Sequence, residues 1–214
     1  SPKPINSPTV STLQLAIPQT LVLNNLDSNV ASAFETAVKK LSMAGAKITD
    51  IPFKPLDDIP KINANGGIYA EAWAVHKEQF NESRHFYDPR VAARIEKTQN
   101  ISSEEYEAVL RARKTLISKA NRITSDFDAL LLPTTPSSAP KIIDLENDSE
   151  AYIEMNGRML RNCFCFNFLD RCALSIPIHA PGSAPCGLMI VGETMGDREL
   201  LGIGQAIEKV VKLS

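Results

Sequence analysis

The amino-terminal part of the chain predicts a strand, a helix and a second strand. Residues 12–17 alternate between apolar and polar side chains and end at Pro18, which is typical of a strand. Asp27 then opens a helix whose apolar residues recur every three or four positions. Gly45 ends that helix, and residues 47–53 form the next strand. This order favours a parallel pair, because a crossover helix returns the chain to the same edge of the sheet.

The middle of the chain is predicted to be helical. Residues 65–86 place apolar side chains mostly three to five positions apart, and Pro89 begins another short helix. Ser102 and Glu105 have the spacing of a capping box, which predicts a long helix ending near Thr124. The basic residues of this helix form a face that we expect to be solvated.

The carboxyl-terminal part predicts the centre of the sheet. Residues 127–132 form a short apolar run stopped by Pro133, which is typical of a strand buried on both faces. Prolines prevent residues 133–140 from continuing the sheet. A helix over 150–168, strands over 172–178 and 187–191, and a helix opened by Asp197 follow. We therefore expect an α/β fold with a mixed β-sheet covered by helices, in which the strand at 172–177 lies beside the strand at 127–132.

Composition and charge exclude several classes of protein. The chain has 214 residues, 43% of them hydrophobic and 22% charged, and a formal net charge of -2. These values are those of a globular protein, and they give no general attraction to nucleic acid or to an anionic membrane. No apolar run approaches the roughly 20 residues of a membrane span. We expect residues 1–11, which are rich in proline, to be a flexible leader and residues 12–214 to be the folded domain.

The cysteines are expected to be small buried residues. Their spacing, C-x-C-x6-C-x13-C, matches no common zinc pattern, and their neighbours are apolar. We therefore expect reduced thiols, a cytoplasmic protein, no bound metal and no other cofactor. The four positions are Cys163, Cys165, Cys172 and Cys186.

The sequence contains no obvious catalytic constellation. It has no G-x-S-x-G motif, and the serine pairs at 102–103 and 137–138 lack flanking glycines. The glycine pair at 66–67 is not followed by a lysine in P-loop spacing. The three histidines are scattered along the chain, so no metal-binding cluster is predicted. We expect no catalytic residue in this chain.

Four stretches nevertheless resemble, in order, the carboxyl-terminal half of amidase signature enzymes, which are serine amidohydrolases. The first is residues 13–18 with the helix that ends at Gly45, and the second is E-A-W-A-V-H at 71–76 with Y-D-P-R-V at 87–91. The third is F-D-A-L-L-L-P-T at 127–134. The fourth is N-F-L-D-R-C-A-L-S-I-P at 167–177, followed by P-C-G-L-M at 185–189.

The resemblance implies an amidase-signature α/β sandwich that hydrolyses carboxamides. The family's serine nucleophile, cis-serine and lysine base lie in an amino-terminal half, so none of them can be assigned to this chain. Many members have Gly and Pro where this chain has Asp170 and Cys172. The Asn167–Cys172 form is similar to that of the allophanate-hydrolase-like subgroup.

The resemblance also implies that this half supplies one wall of a substrate pocket. Loops that follow buried strands are where α/β folds place ligands. Asp170 has a second interpretation as a brace for backbone amides, and Asn167 as a helix-ending cap. Trp73 and His76 share a helix face, which predicts either packing or a pocket rim. The expected substrate-binding residues are Thr134, Thr135, Pro136, Asn167, Asp170 and Cys172.

Two functions remain open from the sequence. The first is the carboxyl-terminal portion of an amidase that acts on a linear carboxamide. The second is a non-catalytic α/β module that binds a small amide or pairs with a partner chain. The expected partners are a small-molecule amide and either the missing amino-terminal half or a second copy of the chain in a homodimer. No nucleic-acid or membrane partner is expected.

Overall fold

The structure, a computed structural model, describes residues 5–212. The chain divides into two compact units, one formed by the chain up to Leu56 and from Lys119 onward, the other by Asp57–Ser118. The strands are β1 (Gln14–Pro18), β2 (Lys47–Ile51), β3 (Ala129–Pro133), β4 (Ala173–Pro177) and β5 (Gly187–Val191). The helices are α1 (Ser28–Met43), α2 (Pro55–Ile62), α3 (Ala70–Ser83), α4 (Pro89–Glu96), α5 (Ser103–Thr124), α6 (Ser149–Phe168) and α7 (Asp197–Val211).

The five strands form one mixed sheet in the order β2-β1-β3-β5-β4. Strand β1 runs parallel to β2 and to β3, and β5 runs antiparallel to β3 and to β4. The predicted parallel pair joined by a crossover helix is therefore confirmed, and Gln14 lies opposite Lys47 in its register. Strand β3 is central, and all five of its residues are buried, as its apolar run predicts.

The prediction that β4 lies directly beside β3 is wrong. Strand β5 lies between β3 and β4, so β4 forms an edge of the sheet. The reason is the distribution of apolar side chains. Residues 188–191 of β5 are buried on both faces, whereas Ala173, Ser175 and Pro177 of β4 are exposed. An apolar strand belongs inside the sheet, and a strand with one polar or small-residue face suits its edge.

Helices α1 and α7 cover one face of the sheet, and side chains of the other face are buried as well. On one face, Leu15, Ile17 and Leu131 belong to a core that includes Phe34 of α1 and Ile207 of α7. These helices pack there because their apolar residues repeat at helical spacing and form one stripe. The alternate residues of the central strands are also buried. Helix α6 lies near the end of β3, where the Asn162 side-chain amide donates to the Pro133 carbonyl at 2.8 Å.

The unit formed by Asp57–Ser118 is helical, but its helices differ from the prediction. The continuous helix expected over 65–86 is instead α3 flanked by short 3-10 segments. Helix α2 was missed because Pro60 lies inside it. The capping box is confirmed: Ser102 N donates to Glu105 Oε2 at 2.9 Å, and Glu105 N donates to Ser102 Oγ at 3.2 Å.

The leader expected over 1–11 is described from residue 5 onward, and residues 1–4 lie outside the described residues. Val10 is buried at the start of a short 3-10 helix. Ser7 Oγ donates to the Gly202 carbonyl of α7 at 3.2 Å, and a side chain at position 202 would collide with the Asn6 carbonyl. This part of the segment therefore packs against α7. Among residues 5–212, no helix combines the length and apolar character that a membrane crossing needs.

Candidate functional site

The candidate site is the edge of the sheet where β1, β3 and β4 end and β5 begins. Pro177 at the end of β4 lies opposite Gly187, and Thr134 N donates to the Gly187 carbonyl at 2.9 Å. The loops after β1 and β3 meet at this edge because the two strands are parallel. Such an edge is where α/β sheets place ligands. We call it the carboxyl edge.

Two hydroxyl groups lie side by side at the carboxyl edge. The Thr134 Oγ1 and Ser175 Oγ atoms are 2.6 Å apart, and Ser175 is exposed. Gly187 permits this arrangement, since a Cβ atom there would lie 2.8 Å from Thr134 Oγ1 and collide with Ser175 Oγ. The pair can both donate and accept hydrogen bonds, which suits an amide group.

Asp27 holds the loop after β3 against the start of α1. Its carboxylate accepts hydrogen bonds from Ser138 N at 2.6 Å and Val30 N at 2.7 Å, and its own amide donates to the Pro136 carbonyl at 3.0 Å. Partial burial by itself raises the pKa of Asp27, but the hydrogen bonds from Val30 and Ser138 outweigh it and lower the pKa below its ordinary value. Asp27 is therefore an ionised brace.

Asn162 holds the same edge from the side of α6. It is 0% exposed, and its amide nitrogen donates to the Val22 carbonyl at 3.1 Å and to the Pro133 carbonyl at 2.8 Å. Thr135 Oγ1 donates to the Ser137 carbonyl at 2.9 Å and shapes the loop after β3. Pro136 is buried there. The loop leaves the sheet, so its backbone groups have no neighbouring strand to bond. Side chains thus provide their hydrogen-bond partners.

Ser138 bonds to the Asp27 carboxylate, whose lowered pKa makes it a weak base, and neither serine of this loop bonds to a lysine or histidine among the described residues. Ser137 is buried, and its hydroxyl donates to the Met159 sulfur at 3.2 Å. Ser138 Oγ accepts a hydrogen bond from Asn29 Nδ2 at 3.0 Å. A serine nucleophile needs a bonded general base. Among the hydrogen bonds of the described residues, neither hydroxyl has a lysine or histidine partner.

The structure does not bring the six predicted substrate-binding residues together. Thr134, Thr135 and Pro136 lie at the carboxyl edge, whereas Asp170 and Cys172 lie at the other end of β4. A five-residue strand separates the two groups by roughly 15 Å. Asn167, in the last turn of α6, belongs to the second group. The division follows from the sheet, because β4 begins where its antiparallel neighbour β5 ends.

The Asn167–Cys172 segment ends α6. Asp170 has a positive φ of 57°, and Arg171 N donates to the Phe166 carbonyl at 3.0 Å, which closes the last turn. This backbone conformation favours glycine, the residue that many amidase signature members have there. Thr194 Oγ1 donates to the Asp170 carbonyl at 2.6 Å, and Cys172 Sγ donates to the Glu193 carbonyl at 2.9 Å.

The cysteines are free thiols in the structure, and Cys165 and Cys186 are buried. Burial raises the pKa of Cys165 to about 11, so the thiol is protonated at neutral pH. Cys163 and Cys172 are half-buried, and burial also raises the pKa of each. Within residues 5–212, no three His, Cys, Asp or Glu residues are placed to hold a metal ion.

Sequence reasoning missed three residues of the carboxyl edge. Asp27 was recognised only as a helix start, although its carboxylate also binds the loop after β3. Asn162 could have been noticed as a polar residue within a mostly apolar stretch of α6. Ser175 lies within the family-like stretch at 167–177, but no role was assigned to it there. Its other signal is the period of β4, because alternate residues of a strand share a face.

The fold and this edge define a mixed α/β protein with a polar loop cluster at the ends of its central strands. The family model described as Amidase matches residues 3–201. The chain therefore belongs to the Amidase family. The expected family and α/β fold are confirmed, and the enzymes of this family are hydrolases of amides.

Several relatives are similar to this chain over most of its length. The 2-amino-5-chloromuconic acid deaminase of Comamonas testosteroni is 30% identical over 99% of this chain and 45% of its own length. An indoleacetamide hydrolase of Rhizobium radiobacter is 29% identical over 93% of this chain and 47% of its own length. The chain thus spans about half the length of these curated relatives.

Solved structures show the same fold. Kluyveromyces lactis allophanate hydrolase superposes with a TM-score of 0.83 at 23% identity, covering 97% of this chain and 33% of that one. An amidase crystal structure gives a TM-score of 0.81 at 21% identity, with 97% of this chain and 48% of that chain covered. At these identities the similarity shows only that the folds are alike.

Proposed function

We propose that this chain is the carboxyl-terminal portion of an amidase that hydrolyses a linear carboxamide to a carboxylate and ammonia or an amine. Its own contribution is the scaffold and one wall of the substrate pocket. The observation that carries the reaction class is the match of the Amidase family model to residues 3–201. The catalytic serine, cis-serine and lysine would come from residues outside this chain.

The carboxyl edge supports the role of a pocket wall. Its exposed hydroxyl pair, Thr134 and Ser175, offers donors and acceptors that match the C=O and N–H of an amide. Thr135 and Pro136 belong to the same loop, which Asp27 and Asn162 fix in place. A wall held by buried hydrogen bonds loses little conformational entropy when a substrate binds.

The second group of predicted residues has a different role in this proposal. Asn167, Asp170 and Cys172 end α6 and lead into β4, so their bonds position that strand and its Ser175. They would not contact the substrate, and would affect its binding only by fixing the position of β4. The resemblance of this segment to the allophanate-hydrolase-like subgroup is part of the proposal and does not identify the amide.

The partner in this proposal is the catalytic half of such an enzyme. The relatives are about twice as long as the stretch they share with this chain. Edge strand β4 has an exposed face at Ala173, Ser175 and Pro177, which a neighbouring element can cover. A second copy of this chain is the alternative occupant, and the protein is proposed to be cytoplasmic.

The test compares ammonia release by the 214-residue chain with release by the product of the complete gene. The substrates are simple linear carboxamides, including some that carry a carboxylate. We expect no release by the chain alone, because a serine at its free pKa is a poor nucleophile without a base and an oxyanion hole. We expect release by the full gene product, and a loss of about tenfold or more in the Thr134→Ala, Ser175→Ala double variant.

The controls separate the catalytic claim from the role of the wall. Ser42→Ala alters an exposed hydroxyl of α1 and should leave the rate of the full product unchanged. Hydrolysis by the 214-residue chain that falls on Ser137→Ala or Ser138→Ala would overturn the assignment of catalysis to other residues. A full-length product inert toward every amide would overturn the proposed reaction.

A further inference from the structure

A cavity in the unit Asp57–Ser118 is not used by the proposed reaction. Its volume is about 250 Å³, and it lies between the first turns of α3 and α5. The ring-bearing residues Trp73 and Tyr106 line it together with Ile101 and the Glu71 side chain. It therefore combines aromatic walls with one carboxylate.

The charge of the cavity is negative. Glu71 is its one acidic lining residue, and no lysine or arginine is among the described residues that line it. The Tyr106 hydroxyl donates a hydrogen bond to Glu71 Oε1, and this bond raises the pKa of Tyr106 above its ordinary value. The phenol is therefore neutral at physiological pH and leaves the negative charge on the carboxylate. The guanidinium of Arg113 acts on Tyr106 in the opposite direction.

The start of α5 does not convert the cavity into an anion site. Backbone donors at a helix start attract anions when they are free. Here Ser102 N donates to the Glu105 carboxylate, and Glu105 N donates to Ser102 Oγ, so both amides are occupied. Glu104 and Glu105 add two more carboxylates to the same helical turn. An approaching anion would meet these charges with few free donors.

The aromatic side chains and the carboxylate of the lining favour a small organic cation as the ligand. Ammonium groups bind over aromatic faces, and an adjacent carboxylate adds an ion pair. A volume of this size holds about eight water molecules, which is enough for a quaternary or primary alkylammonium. We propose that the cavity formed by Glu71, Trp73 and Tyr106 binds a small alkylammonium ion. This binding site is independent of the amide hydrolysis proposed above.

Trp73 gives the site its own reporter, because it is the one tryptophan in the sequence. The experiment titrates the 214-residue chain with tetramethylammonium chloride and follows tryptophan fluorescence. Sodium chloride at equal ionic strength and neutral tert-butyl alcohol are titrated in parallel. We expect a saturable change with the ammonium salt alone. A linear response, or an equal response to either comparison compound, would overturn the proposal.

Two variants test the role of the carboxylate. Glu71→Gln keeps the size of the side chain and should weaken binding roughly three- to tenfold, the loss expected for an exposed ion pair with an aromatic contact. Glu107→Gln is the matched control: it removes the same charge from the exposed face of α5, where Glu107 pairs with Arg111 at 3.4 Å. Equal weakening in both variants would mean general attraction to a negative surface and would overturn the site. The comparison with tert-butyl alcohol needs no variant, so it decides the question even if Glu71→Gln does not fold.

Discussion

At residue scale, the hydroxyl pair of the carboxyl edge depends on a glycine. A methyl group at position 187 would collide with Ser175 Oγ and approach Thr134 Oγ1 to 2.8 Å. We expect Gly187→Ala to separate the two hydroxyls and to lower the free energy of unfolding by about 1–3 kcal/mol, the usual effect of overpacking. Urea unfolding measured by circular dichroism gives this value.

The chain offers a matched control for that substitution. Gly157 lies within α6 and would meet no atom within 4 Å if it carried a Cβ atom. Gly157→Ala should therefore raise stability by about 0.5–1 kcal/mol, because alanine is the better helix former. A Gly187→Ala variant as stable as the wild type would show that the collision at Gly187 is absorbed without disturbing the pair.

The carboxylate of Asp27 makes stability depend on pH. Hydrogen bonds from Val30 and Ser138 lower its pKa in the folded state, despite the opposing effect of burial. The stabilisation is therefore present above the unfolded-state pKa, near 3.8, and is lost as the pH falls through the lower folded-state value. Asp27→Asn should lower the urea midpoint at pH 7, and its difference from the wild type should shrink by pH 2.5.

The control for this pH effect keeps the carboxylate and removes a neighbouring hydroxyl. Ser138→Ala retains the backbone amide that donates to Asp27 at 2.6 Å. Its midpoint should still fall with acid, though less than that of the wild type, because the lost hydroxyl also lowers the pKa of Asp27. If Asp27→Asn and wild type instead differ equally at all three of pH 7, 4 and 2.5, the ionised carboxylate is not the stabilising form.

At the scale of elements, a buried arginine joins the end of α5 to the start of β4. Arg171 is 8% exposed, and its guanidinium donates to Thr124 Oγ1 and Asn121 Oδ1, each at 2.7 Å. Burial lowers its pKa, but the hydrogen bonds stabilise the charged guanidinium in place of water. Arg171→Lys cannot reproduce this fork of donors and should lower the free energy of unfolding by about 2–4 kcal/mol.

A conservative exchange on α5, the helix whose end Arg171 bonds, provides the comparison. Arg122 is exposed, so Arg122→Lys should alter stability by less than about 0.5 kcal/mol. Chemical denaturation of both variants gives the two values. A lysine at 171 that is tolerated as well as one at 122 would contradict a structural role for the guanidinium fork.

Most elements of the fold follow from local pattern. The apolar run of β3, the stripe of α1 and the capping box of α5 each predict the element that the structure contains. The exceptions have local causes of a different kind. Helix α2 contains Pro60, and the predicted helix over 65–86 is interrupted at both ends by 3-10 turns. Proline and short turns disturb a periodic pattern without preventing helical structure.

At the scale of the molecule, the two edges of the sheet differ in how they resist pairing. Strand β2 carries Lys47 and Asp50, whereas β4 has no charged residue and exposes small side chains. Charged residues on an edge strand discourage pairing with another chain. We therefore predict that the isolated 214-residue chain associates with itself through β4 at high concentration, which light scattering measures.

Charged substitutions on the two edges test which strand is used. Ala173→Lys should reduce association because it places a charge on the exposed face of β4, and Thr49→Lys on β2 should have little effect. Binding of an apolar dye should fall together with association. A chain that is strictly monomeric in light scattering and binds no dye would contradict this prediction.

The sequence by itself determined the fold class, the central strand and the family. Each of these rests on information that lies close together along the chain: a period, an apolar run, or a motif such as the one at 127–134. The sequence also indicated that Thr134, Thr135 and Pro136 form a loop at the end of a buried strand, and they lie there in the structure. Local order suffices for such features, because the repeat of a helix or strand fixes which side chains share a face.

Only the tertiary structure decided that β5 separates β3 from β4 and that the predicted site residues divide between two ends of a strand. Strand pairing depends on which apolar strand fills the gap beside β3, and this competition involves residues more than 50 positions apart. The bonds of Asp27 to Ser138 and of Asn162 to Val22 join residues that are more than 100 positions apart in sequence. No periodic pattern encodes such contacts, since they form only when separately specified elements pack together.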